Sequence, residues 1–210
     1  VETNQGNIRT KAVIVTVPTE IVADGTLAFT PKLPDWKMRA YQALPMGVLD
    51  KITLMFDERF NGLLNEANTT TSYIQNEEGR WLDHLLRPFE LPLDVCFIGG
   101  QFARDLAAEP DADEIAFELA LDSLAEAFGE DVHDMFIKGH FTKWDIDPLA
   151  RGAYAAAKVG KARERAKARK PVDDRLFFAG EATISKWATQ ATAAYVSGQE
   201  AGREVIATLT

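Results

Sequence analysis

Residues able to do chemistry concentrate towards the carboxyl end, in Leu176–Gly202, LFFAGEATISKWATQATAAYVSGQEAG. The apolar run Leu176-Phe177-Phe178 reads as a short buried strand. It breaks at Ala179-Gly180, where a small residue and a glycine let another group approach the backbone. Glu181 follows at once, then a polar connection, then a predicted helix from about Ala188 to Leu209 carrying Ala191, Ala194, Gly198 and Ala201 at helical spacing. A smooth strip of this kind lets a strand or a flat ligand lie close. Strand, Gly-Glu, loop and helix start together suit a nucleotide-type ligand, because N–H groups and the positive end of a helix dipole face it. A generic strand–helix unit of any α/β protein reads the same way.

The second candidate is Lys51, inside the predicted strand Met46–Phe56, MGVLDKITLMF. Ile52, Leu54 and Phe56 take one face; Lys51, Thr53 and Met55 take the other. A lysine in an apolar strand is unusual, although most such lysines snorkel at a sheet edge. His84 reads as a packed or surface histidine in an alternating strand. His133 and His140 lie too far apart, and lack the Cys or acidic neighbours, for a metal site. Gly99-Gly100 lacks the spacing of a phosphate-binding loop.

The elements that position these residues follow from the same pass. Val1–Pro18 reads as a strand end, a turn at Asn4-Gln5-Gly6-Asn7 and a second strand ending in Ala12–Val17. A Pro-bounded turn then opens a short helix with Trp36, Met38 and Tyr41. Strand candidates fall at Thr71–Gln75, Arg80–Leu86 and Asp94–Ile98. Asp111–Phe128 is a predicted helix with a capping-box start at Asp111 and Glu114, a core stripe of Ile115, Leu119, Leu124 and Phe128, and a stop at Gly129. Val132–Tyr154 begins as a strand and turns at Asp147-Pro148. Lys158–Lys170, KVGKARERAKARK, holds seven basic residues and one glutamate; it reads as a solvated helix or entrance loop, with recruitment of an anionic partner as the alternative. The fold class expected is mixed α/β.

Composition sets the outer limits. The chain has 210 residues, 46% hydrophobic and 26% charged, enough for a sizeable core. A formal charge of −9 argues against nucleic acid or an anionic membrane as partner. The lone Cys96 excludes an internal disulfide and fits a reducing, cytoplasmic address. No apolar run is long enough to span a bilayer.

Four segments, in order, resemble the flavin-containing amine oxidases, a family that includes monoamine and polyamine oxidases and flavin-dependent histone demethylases. They are VIVTVP ending at Pro18, LPMGVLDK ending at Lys51, TKWDIDPLARGAY ending at Tyr154, and FFAGEAT with the helix ending SGQEAG. The resemblance implies a partial FAD-binding domain over 1–32, a substrate-binding domain over 33–156 and a C-terminal FAD-binding segment over 157–210. It implies that Lys51 holds a water near flavin N5, that Trp144 borders the flavin, and that Tyr154 forms one wall of the amine pocket, with Gln190 at the second wall position. Gly180, Glu181, Gln190 and Ala191 are implied to bind the cofactor, Glu181 through ribityl or ribose hydroxyls and the helix start through N–H groups near Gln190 and Ala191. The activity implied is hydride transfer from an amine α-carbon to flavin, with O2 reoxidation to H2O2.

Three departures qualify this. No G-x-G-x-x-G follows a strand, so the pyrophosphate cradle of FAD is missing from the sequence. The expectation is a fragment, or one subunit of a processed enzyme, that binds FAD poorly or not at all alone and is completed by an N-terminal FAD-binding portion in a separate chain. Ala153 stands where monoamine oxidases carry the cysteine bonded to flavin, so the FAD is expected to be non-covalent. Gln190 replaces an aromatic wall, which leaves the small-molecule amine unspecified. The rival readings are a non-catalytic binding or assembly module, and a related flavin desaturase or oxidase.

Overall fold

The computed structural model describes residues 1–63, 72–75 and 81–210. The chain divides into two compact units, Val1–Gly47 with Pro148–Thr210, and Val48–Asp147. Residues 33–47 and 148–156, expected with the middle domain, group with the first unit.

The first unit opens with β1 (Glu2–Thr3) and β2 (Gly6–Asn7), a two-residue antiparallel hairpin. The turn is Asn4-Gln5, because Gly6 and Asn7, expected in the turn, already pair with Thr3 and Glu2. Strand β3 (Val13–Val15) does not continue that hairpin; its partner lies near the other end of the chain. Pro18 and Pro34 then start α1 (Thr19–Ala23) and α2 (Asp35–Gln42), their fixed φ suiting a helix entry. In α2 the inward residues are Lys37, Ala40 and Tyr41, spaced i, i+3, i+4, while Trp36 and Met38 are half-buried. Strand β4 (Met46–Gly47) follows.

The second unit is an antiparallel sheet covered by helices. Strand β5 (Leu49–Phe56) begins after a break at Val48, so the long strand expected from Met46 is two. Ile52, Leu54 and Phe56 are buried and Lys51 and Met55 exposed, as the two-residue period requires. Next come α3 (Phe60–Leu63), β6 (Ser72–Gln75), β7 (Trp81–Leu86), β8 (Leu93–Gly99) and α4 (Gly100–Ala107). Thr71 and Arg80, expected to begin two of these strands, lie outside the described residues. Helix α5 (Ala112–Phe128) starts without a side-chain cap, so the expected capping box does not form; Gly129 ends it at φ +95°. Its buried line is Ala112, Ala116, Ala120 and Leu124, while Ile115 is 40% exposed. Alanines face the sheet because the helix packs close to it: a methyl group on Gly139 would sit 2.5 Å from the Phe117 ring. Asp131–Met135 is a helical turn, α6, rather than strand, since Val132 and Met135 point inward one turn apart. Strand β9 (Phe136–Phe141) completes the order β6-β7-β8-β5-β9.

The chain then returns to the first unit. Strand β10 (Tyr154–Ala155) pairs antiparallel with β4. The basic run, expected as a solvated helix or entrance loop, is largely exposed and contains a six-residue helix, α7 (Glu164–Arg169), in which Arg165 and Ala168 turn inward. Strand β11 (Leu176–Phe178) runs parallel to β3, with Phe177 opposite Ile14. A 3-10 turn (Glu181–Thr183) precedes α8 (Ala191–Leu209), which begins three residues later than expected. Parallel and antiparallel pairs with helices make the fold mixed α/β. No helix among the described residues is long and apolar enough to cross a membrane.

Candidate functional site

In the first unit the site is assembled around Glu181. Ala155 N–H donates to its Oε1 at 2.7 Å and Thr189 N–H to its Oε2 at 3.0 Å. One carboxylate therefore ties the strand bearing Tyr154 to the loop bearing Gln190. Arg165, which the sequence reading merged into the basic run, supports the same corner. Its guanidinium donates to Ala155 O at 2.7 Å and Ala182 O at 3.2 Å, and lies 3.8 Å from Glu181.

The loop so pinned is strained. Trp187 and Thr189 hold φ of +58° and +71°, a region costly for side-chain-bearing residues and concentrated at ligand sites. It delivers Gln190 as the N-cap of α8 in extended conformation, without a side-chain cap. The N–H groups of Ala191 and Thr192, in the first turn of α8, have no acceptor among the described residues, and both residues are exposed.

The small-residue strip has two faces. Ala193, Ser197 and Ala201 are buried, and Ser197 Oγ accepts from Gly180 N–H at 2.9 Å. The strip marked by Ala191, Ala194 and Gly198 is the neighbouring one; Ala191 and Ala194 are exposed, and only Ala201 of the expected four is buried. A side chain built at Gly180, Gly198 or Gly202 would meet no atom of the described residues within 4 Å. Gly180 itself sits at φ +135°, a conformation that favours glycine. Bare backbone, donors without a partner among the described residues and a smooth helix face fit the flat ring and ribityl end of a flavin. Nothing in the sequence supplies the Gly-rich cradle that a pyrophosphate needs.

Tyr154 is half-buried and opposite Gly47. Gly152 makes that pairing possible: at φ +137°, a Cβ there would lie 2.5 Å from Met46 Cβ and 2.9 Å from Gly47 O.

In the second unit, Lys51 and Trp144 are brought to one end of the sheet. Lys51 N–H donates to Thr142 Oγ1 at 3.0 Å, and Thr142 N–H returns to Lys51 O at 3.1 Å. The buried Asp50 accepts from Trp144 N–H and Thr142 Oγ1, each at 2.8 Å. Burial raises the Asp50 carboxyl above the usual range, against the hydrogen bonds that lower it. The Lys51 side chain is exposed, its Nζ 5.4 Å from the Phe97 ring centre. Trp144 is 44% exposed. The two-residue period that turns Ile52, Leu54 and Phe56 inward also turns Asp50 inward, but its hydrogen-bond partners, more than ninety positions away, are invisible in the sequence.

The same unit holds a chain of Asp94, His84 and Ser123, with links of 2.8 and 3.1 Å. All three are buried, so no substrate reaches the hydroxyl, and the chain joins β7, β8 and α5 instead. Among the described residues no group of acids, histidines and cysteine could hold a metal.

The pattern of the flavin containing amine oxidoreductases matches residues 1–206. The chain belongs to that family. Among curated relatives it is 31% identical over 200 residues to polyamine oxidase 2 of Arabidopsis thaliana, covering 92% of this chain and 38% of that protein. It is 29% identical over 208 residues to histone demethylase-like protein A of Aspergillus fumigatus, covering 92% of this chain and 19% of that one. The chain thus spans well under half of the flavin amine oxidoreductases it matches. Cyclohexylamine oxidase from Brevibacterium oxydans has the same fold over 98% of this chain and 45% of its own, at a TM-score of 0.72 and 22% identity. Putrescine oxidase bound to putrescine aligns over 93% and 42%, at 0.71 and 19%. These two likenesses concern the fold.

Proposed function

We propose that this chain supplies the ring-and-ribityl end of a non-covalent FAD site, and the substrate-facing residues, of an amine oxidase. The observation that carries the reading is the Glu181 clamp, which sets Gly180, Gln190 and the free N–H of Ala191 on one exposed edge of the first unit. The pyrophosphate end of FAD would be held by residues outside this sequence, in the same polypeptide or in a partner chain.

Held by Gly180, Glu181, Gln190 and the Ala191 N–H, FAD would supply an acceptor for hydride from the carbon beside the amine nitrogen, with water converting the imine to a carbonyl and O2 taking the electrons as H2O2. The chain's own residues prepare that exchange. The Ala191 N–H and the positive end of α8 would stabilise negative charge on a flavin held there. Glu181 keeps lone pairs free for ribityl hydroxyls. Tyr154 would provide an apolar wall that disfavours the ammonium form of the substrate, leaving the neutral amine that can lose hydride, and Trp144 would border the flavin. Lys51, by its place in the family segment LPMGVLDK, would orient a water rather than act as general base. Since the curated relatives include proteins named polyamine oxidases, polyamines are the first substrates to try.

The test is peroxide release across a panel of polyamines, diamines and monoamines, with this chain joined to a dinucleotide-binding half. Peroxide from at least one amine is expected. Lys51→Met should slow turnover at least roughly tenfold, the loss typical of a positioned proton-handling group being larger still. Flavin-loaded protein that releases none with any amine contradicts the proposal.

A further inference from the structure

Although the chain carries a net charge of −9, its first unit contains a cleft with basic walls. The cleft measures about 710 Å³, and its lining includes Trp36, Arg39, Lys158, Lys161, Lys167 and Lys170. Three pieces of chain bring these together. Helix α2 offers Trp36 and Arg39 three residues apart on one face. The segment before α7 is anchored by Lys158 N–H donating to Ala43 O at 3.0 Å. The end of α7 is anchored by the buried Lys37, whose ammonium donates to the carbonyls of Ala168, at 2.6 Å, and Lys170.

Within the cleft, Glu164 neutralises Lys167 at 2.8 Å. Arg39, Lys158, Lys161 and Lys170 form no ion pair with any carboxylate among the described residues. Four cations sharing a concave wall repel one another and raise the local concentration of anions. A single phosphate or sulfate leaves most of that charge unmet. The volume also exceeds one ion and falls within the range of organic-ligand pockets, about 300–1,000 Å³. The half-buried Trp36 adds a planar aromatic surface, on which a base can stack.

We propose that this cleft binds a nucleoside triphosphate, the phosphates held by Arg39, Lys158, Lys161 and Lys170 and the base against Trp36. Lysines act there as mobile point charges around a flexible polyphosphate, and Arg39 supplies the planar fork. The site is separate from the Glu181 clamp, so it stands or falls independently of flavin binding.

Calorimetric titration of the 210-residue chain in low salt, with ATP, tripolyphosphate and adenosine as probes, tests this. ATP and tripolyphosphate should each saturate one site, ATP the tighter by roughly three- to tenfold through stacking, while adenosine gives no saturable heat. Lys158→Glu with Lys161→Glu should weaken ATP by at least about tenfold, and Trp36→Leu should bring ATP down to the tripolyphosphate level. No saturable ATP binding overturns the proposal, as does ATP affinity unchanged by the double charge reversal. Equal affinity for ATP and tripolyphosphate in the unaltered chain overturns the nucleoside assignment.

Discussion

Lys37 shows how a single side chain organises the first unit. Its ammonium is fully buried, 3.4 Å above the Phe178 ring centre, and donates to the carbonyls that end α7. No carboxylate among the described residues pairs with it. Burial lowers its pKa from 10.5 to about 7, and Phe178 and the carbonyls of Ala168 and Lys170 hold the charged form in place. Between those two values the unfolded chain binds the proton more tightly than the folded one. Stability from this group therefore rises with pH above about 7 and levels off near 10.5, and the full penalty is present below pH 7. Lys37→Met should remove that rise and, at neutral pH, cost about 1–3 kcal/mol through carbonyls left without a donor. Urea melts of both proteins across this pH range measure it; parallel pH profiles would assign the rise to other groups. None of this was legible in the sequence, where Lys37 is a polar residue near the start of a short helix. Its acceptors lie about 130 positions away. Arg165 escaped for the same reason: partners fixed only by tertiary packing decide which charge of the basic run turns inward.

At the scale of elements, periodicity did better. The strand at Leu49–Phe56 and the helices ending at Phe128 and Leu209 are where two- and 3.6-residue patterns place them. Errors came where small residues carry the packing. Alanines, not Ile115 and Leu119, form the deepest line of α5, and α8 buries the stripe next to the one its sequence suggested. Close approach favours methyl groups, and hydrophobicity patterns underweight them. Gly152 is the sharpest instance. Gly152→Ala would force a left-handed φ on alanine and drive its methyl into Met46 and the Gly47 carbonyl, costing about 1–3 kcal/mol. The β4–β10 pair should separate and Tyr154 lose its place. Thermal melts, with hydrogen exchange at Ala153 and Ala156, whose N–H groups bond Gly47 O and Pro45 O, report both effects; unchanged melting and protection would mean the turn has room to adjust.

At the scale of the whole molecule, the chain is two units, each carrying part of the expected site. Lys51 and Trp144 belong to one, while Tyr154, Gly180, Glu181, Gln190 and Ala191 belong to the other. The family resemblance was legible because four short segments occur in order. The clamp that organises the proposed cofactor edge was not, since Glu181 reads as a ligand contact until its two backbone donors are seen. The central claim is that the free N–H at the start of α8 serves the flavin. Ala191→Pro isolates it: proline is well tolerated at the first helical position and deletes only that donor, and Gln190 already has the extended backbone that must precede a proline. The decisive measurement is the rate at which an amine substrate bleaches the visible flavin band without oxygen, in protein carrying this chain and its dinucleotide-binding half. The variant should fold with unchanged melting and bleach roughly a hundredfold more slowly, as when one preorganised donor is lost. Bleaching at the unaltered rate would contradict the account.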